Sequence, residues 1–187
     1  MVDAIPLIAL IVIFIASLWR GRSVSRSSGD NAWAFGSAKG KQRLAGAAFA
    51  ISIVILAFAA AEAALRIEST YALISALVSV AGGAIVIFAQ VQMGRAWRVG
   101  VREGDAPLFV QHGLFRFSRN PIFLGMMLVG FGIAVTANSW WAWAALLAFV
   151  LACREQVRIE EAHLNHSFGG AYISFKNDVP RWIGIPK

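Results

Sequence analysis

Two uninterrupted apolar runs, Leu44–Leu65 and Tyr71–Val91, joined by the short link Arg66–Thr70, restrict this chain more than any other feature. Each is long enough to cross a hydrocarbon layer of about 30 Å as a helix. In lipid, every backbone N–H and C=O of such a run must bond within its own segment, so the runs are helical, and the link makes them antiparallel. Three further apolar runs follow the same logic: Ile5–Trp19, Pro121–Ala137 and Ser139–Cys153. The last two are shorter, with Asn138 and Ser139 at the tip between them, and form a helical hairpin that barely crosses. Charged residues are 14% of the chain, against roughly 25% in soluble domains. The expected fold is all-α: a polytopic bundle of five transmembrane helices in one domain, residues 1–187, with no separate soluble unit.

Charge orients the bundle. Ile5–Trp19 has Asp3 before it and Arg20, Arg22 and Arg26 after it, the reverse of a cleavable signal peptide, so it reads as an uncleaved anchor with its N-terminus outside. Sixteen of the seventeen Lys and Arg residues fall in Arg20–Arg43, Arg95–Arg119 and Arg154–Lys187, which share one side of a five-span bundle. The positive-inside rule makes that side cytoplasmic. Gly21–Arg43, with Trp33 and Phe35, reads as a cytoplasmic loop. Arg66 stands alone on the other side, and Glu62, four residues before it, either reaches the interface there or pairs with it. Basic loops beside anionic membrane lipids account for the +7 net charge without a nucleic-acid partner. Cys153 is the single cysteine, which excludes an intrachain disulfide and a cysteine metal cage. Gly36–Lys41 only superficially suggests a phosphate loop, because Gln42 stands where Ser or Thr belongs.

Three polar groups converge on the cytoplasmic face. His112–Gly125 runs from a basic turn into apolar residues, and Pro121 is suited to the first position of a helix. Arg116 and Arg119 then flank free N–H groups at the positive end of a helix dipole, which favours an anionic ligand, although two arginines can also simply mark a membrane border. Gln92–Gly100 forms the second group. In the third, Arg154, Arg158 and Glu161 share a helical face that could hold a zwitterion, and the same charges also suit a solvated helix laced with ion pairs. Gly169-Gly170 reads as a helix stop, after which a short chain carries Phe168, Tyr172, Phe175, Trp182 and Pro180 back toward the bilayer as a lid.

His112-Gly-Leu-Phe, Arg119-Asn-Pro-Ile-Phe-Leu-Gly125, Glu160-Glu161, Leu164, Phe168-Gly169, Tyr172 and Val179-Pro180, in this order and at these intervals, resemble the isoprenylcysteine carboxyl methyltransferase family and related phospholipid methyltransferases, in a bacterial form. The resemblance covers about the C-terminal half. It implies a membrane enzyme that binds S-adenosylmethionine (AdoMet) at the cytoplasmic face and methylates a lipophilic or lipid-anchored acceptor. Arg119, Asn120, Pro121, Phe123 and Gly125 stand in the family's Arg-His-Pro-x-Tyr-x-Gly motif, and Glu160 and Glu161 in its paired glutamates. Asn120 replaces His and Phe123 replaces Tyr, so any proton relay at position 120 is lost. The implied cofactor set is these residues with Phe168 and Tyr172. Glu161, and Glu160 after it, would meet the methionyl ammonium, and Arg119 or Asn120 its carboxylate. Arg158 or Arg154 would orient an acceptor anion. No metal is expected, since Glu160 and His163 form a single Glu-x-x-His unit. Two other readings compete: an NADPH-dependent membrane reductase of the steroid reductase type, and a non-catalytic membrane protein that binds lipid.

Overall fold

The computed structural model describes residues 1–28, 40–66, 70–97 and 109–186. Trp33, Phe35 and most of the Gly36–Lys41 run lie outside them. Among the described residues there is no strand, and six α-helices follow in order: α1 (Ile5–Ser28), α2 (Gly40–Ala64), α3 (Ala72–Met93), α4 (Pro121–Ala137), α5 (Trp140–Phe168) and α6 (Gly170–Asp178). Val2–Ser27, Gly40–Ala64 and Ala72–Met93 are each long and apolar enough to cross a membrane, and Pro121–Ala137 is a shorter apolar helix. Ile8 and Ile15 of α1 and Ile51 and Phe58 of α2 face outward, as helices bathed in lipid allow.

Two helices run past their expected ends. α1 continues through the arginines to Ser28. α5 carries its apolar run straight into the polar segment as one 29-residue helix, about 43 Å long, because no Gly or Pro interrupts it. The segment after Gly169 is also more regular than expected. It is a helix, α6, and extended chain begins only at Val179.

Short as it is, α4 sits at the centre, packed on α1, α2, α3 and α5. Its closest partner is α3, and small side chains permit the approach. A Cβ on Gly82 would stand 2.6 Å from the Gly125 carbonyl oxygen, and one on Gly125 would stand 2.5 Å from that of Gly82. Further along, Ser75 Oγ donates to the Gly132 carbonyl at 2.6 Å and also bonds Thr136. On the other side of α4, Phe149 of α5 packs on Phe49 of α2 with ring centroids 5.1 Å apart. The α4–α5 turn is as expected: Asn138 is left-handed, φ 43°, and closes α4 through its N–H to Ala134 O. Arg66 pairs with Glu62 and also donates to the Ala137 carbonyl at 3.1 Å, placing a cation on the negative end of α4.

Candidate active site

A cavity of about 950 Å³ lies among α1, α2, the start of α4 and the polar half of α5. Leu10 and Phe14 of α1, Ile53 and Val54 of α2 and Met126 of α4 make much of its wall apolar. Arg119, Asn120, Gln156, Glu160, Glu161 and Tyr172 supply its polar part.

The turn before α4 sets this polar part. Asn120 N–H donates to Ser118 Oγ at 3.1 Å, and Asn120 itself holds non-helical angles (φ −133°, ψ 53°) as the residue before a proline does. Pro121 then opens α4. Gln92, near the end of α3, ties the turn down: its Oε1 accepts Leu114 N–H at 2.8 Å. Gly113 (φ 62°) permits the contact, since a Cβ there would overlap the Gln92 amide.

The C-terminal segment is sewn over this turn. Arg119 N–H donates to Pro180 O at 3.0 Å and Gly184 N–H to Phe117 O at 3.0 Å. Asn120 Nδ2 donates to Arg181 O at 3.1 Å, and an Arg119 guanidinium N–H to Lys176 O at 3.3 Å. Beneath, Phe109 is the hub of an aromatic cluster, 5.2 Å from Phe168, 5.5 Å from Tyr172 and 4.9 Å from Phe175 between centroids.

Glu161 is the electrostatic centre, only 8% exposed. Arg119 reaches its Oε1 at 3.2 Å, while Arg181 forks onto it through Nε to Oε1 at 3.1 Å and a terminal nitrogen to Oε2 at 2.6 Å. Two guanidinium groups thus share one carboxylate. Arg119 Nε, also buried, has no hydrogen-bond partner, so the cluster suits one more anionic oxygen. Burial, with the Glu161 charge second, pushes the Tyr172 hydroxyl up to about 12, which keeps it a neutral phenol. Burial also pushes the Glu160 carboxyl up to about 7; Glu161 adds to the rise and the Gln156 hydrogen bond opposes it.

Of the residues singled out in the sequence, Arg119, Asn120, Pro121, Phe123, Glu160, Glu161 and Tyr172 line the cavity together. Gly125 instead serves the α3–α4 contact, and Phe168 stacks behind the lining on Phe109. Arg154 and Arg158 are exposed and outside the lining, and Arg158 pairs with Glu155 on the surface. Helical spacing aligns Arg154 with Glu161, yet the Arg119 turn and the C-terminal segment cover only the turn that bears Glu161. Arg181 and Gln156 escaped notice as site residues. Arg181 carried one signal, as the arginine directly after Val179-Pro180; Gln156 carried none. Among the described residues no group of three or more His, Cys, Asp or Glu side chains could hold a metal.

No curated protein matches the chain. The family model of phospholipid methyltransferases matches residues 71–171, which span α3, α4, α5 and the loops that build the cavity's polar part. With more than half of the sequence inside that match, and with its apolar helices, the chain belongs to the phospholipid methyltransferase family of membrane methyltransferases.

Proposed function

We propose that the protein is a five-span inner-membrane methyltransferase that uses AdoMet at the cytoplasmic face to methylate a lipophilic acceptor drawn from the bilayer. One observation carries this reading: a single cavity joins the Arg119–Glu161–Arg181 cluster to apolar walls on the lipid-bathed helices α1 and α2. The amino-acid end of the cofactor is a zwitterion. Set beside Arg119 and Glu161 it adds one charge of each sign and leaves the net charge of the cluster unchanged. Its carboxylate suits the unpartnered Arg119 Nε and the Asn120 amide, its ammonium suits Glu161, and the adenosine suits Phe109, Tyr172 and Phe175. Pro121 and Phe123 shape the wall, and Gly125 and Phe168 act through packing. Arg154 and Arg158, turned outward, take no part.

When bound, AdoMet supplies an electrophilic methyl group on a sulfonium. The chain's own residues hold the reactants in line and exclude water, and no covalent nucleophile is required. Calorimetric titration of the purified protein with S-adenosylhomocysteine (AdoHcy), alongside NADPH, tests the reading. Saturable AdoHcy binding is expected, weakened by about 2–5 kcal/mol in Glu161→Ala, where one partner of a buried charge pair is lost. Binding of NADPH alone would favour a reductase, and binding of neither a lipid-binding membrane protein.

A further inference from the structure

Two aromatic rings meet on the cavity wall one helical turn beyond the charged cluster. Phe123 of α4 and Phe49 of α2 both line the cavity, with ring centroids 6.2 Å apart and planes at 83°, so together they form a corner. Phe149 of α5, only 1% exposed, packs against Phe49 at 5.1 Å and fixes the corner from behind. Phe49 lies outside residues 71–171, so half of the corner is not part of the family match. Asn120 lines the same cavity three residues before Phe123, which puts the corner about 4.5 Å further along α4.

The methionine arm of AdoMet, held at Arg119, Asn120 and Glu161, spans about that distance, since four single bonds separate its carboxylate carbon from its sulfur. It therefore brings a permanent positive charge to a wall that is otherwise apolar. A charge taken out of water needs a partner there. The acids among the described lining residues are Glu160 and Glu161. Glu161 already carries Arg119 and Arg181, and Glu160 accepts Gln156 Nε2 at 3.4 Å. The face of an aromatic ring carries negative potential, and it attracts a cation within about 6 Å most strongly where water is excluded.

We propose that the Phe49–Phe123 corner binds the sulfonium, and that it does so by recognising its charge. The inference rests on the methyltransferase reading above and adds to it how the cavity tells fresh cofactor from spent. AdoHcy is a neutral thioether once the methyl group has gone, so the rings lose their attraction for it. An aliphatic wall would hold the two forms alike, and the product would then compete with the cofactor.

The test uses the full chain in nanodiscs of a phosphatidylcholine, whose nitrogen has no place for a further methyl group, so that AdoMet binding is read by calorimetry without turnover. AdoMet and sinefungin, which has an ammonium-bearing carbon in place of the sulfur, are the cationic probes; AdoHcy is the neutral one. Phe49→Leu and Phe123→Leu keep an apolar wall and remove one ring face each. Each is expected to weaken binding of both cations about fivefold and to leave AdoHcy within about twofold of wild type. Phe123→Tyr, which keeps the face, should retain the wild-type preference for the cations. Equal loss for all three probes overturns the proposal, because the rings would then pack on adenosine or support the fold. A preference that survives in both Leu variants also overturns it, as does one lost in Glu160→Gln instead, which would make that carboxylate the partner of the sulfonium. Wild type that binds none of the probes sinks the methyltransferase reading and this site with it, whereas saturable binding with a preference indifferent to both rings sinks this site alone.

Discussion

Glu161→Gln tests whether the charge cluster holds the C-terminal segment over the site. It leaves Arg119, whose side chain is 8% exposed, without its carboxylate, and it removes both contacts to Arg181, whose side chain is 37% exposed. Loss of one partner from a buried pair costs about 3–5 kcal/mol. The Arg181 half is screened by solvent and contributes nearer 1 kcal/mol, roughly. Arg119 keeps its bond to Lys176 O, and the backbone bonds at Pro180 and Gly184 persist, which sets the expectation at the lower end, about 3 kcal/mol. That is roughly a 150-fold rise in the open population. Trypsin cuts after Arg181 only when the segment lifts, and with fast reclosing the cutting rate follows that population. Mass spectrometry should show the product ending at Arg181 appearing about 150-fold faster in Glu161→Gln. Arg181→Lys, which keeps a cleavable bond and loses the fork, should show only a several-fold rise, roughly, for about 1 kcal/mol. A Glu161→Gln rate within about threefold of wild type would refute the view that Glu161 clamps the segment.

Two further outcomes follow from the same geometry. The Glu160 carboxyl is raised from 4.5 to about 7, so the folded state binds the extra proton and stability falls as pH rises through that window; Glu160→Gln, which removes the buried charge, should gain up to about 3 kcal/mol on wild type by pH 8 and little at pH 4, read by SDS-titration unfolding at each pH. Gly82→Ala should cost about 1–3 kcal/mol in the same assay by prising α3 from α4, whereas Gly83→Ala, whose Cβ reaches nothing nearer than Ala9 at 3.8 Å, should be neutral or slightly stabilising; equal effects would show that the α3–α4 approach is not tight.

Local chemistry alone determined much of this protein. Apolar length, the proline at 121, the left-handed turn at Asn138, the glycine at 169 and the i+4 spacing of Glu62 and Arg66 each act within a few residues, so the helices, their breaks and that ion pair are legible from the sequence. The resemblance in the C-terminal half pointed to the family that residues 71–171 match. Absence of a breaker was the overlooked local signal: α5 runs unbroken to Phe168, and the short chain expected after Gly169 begins as a helix, α6.

Tertiary structure decided the rest, because burial and pairing depend on what packs against a face and not on the face itself. Arg154 and Glu161 share a helical stripe, yet only Glu161 is covered, by Arg119 from another helix start and by Arg181 twenty residues on. Gly125 stands in the motif but touches Gly82. Gln156 looks like any polar residue on a helix until the fold buries its carbonyl beside Glu160 at a cavity wall. The sequence names the charged residues; the packing of α4 and the C-terminal segment against α5 chooses which of them meet.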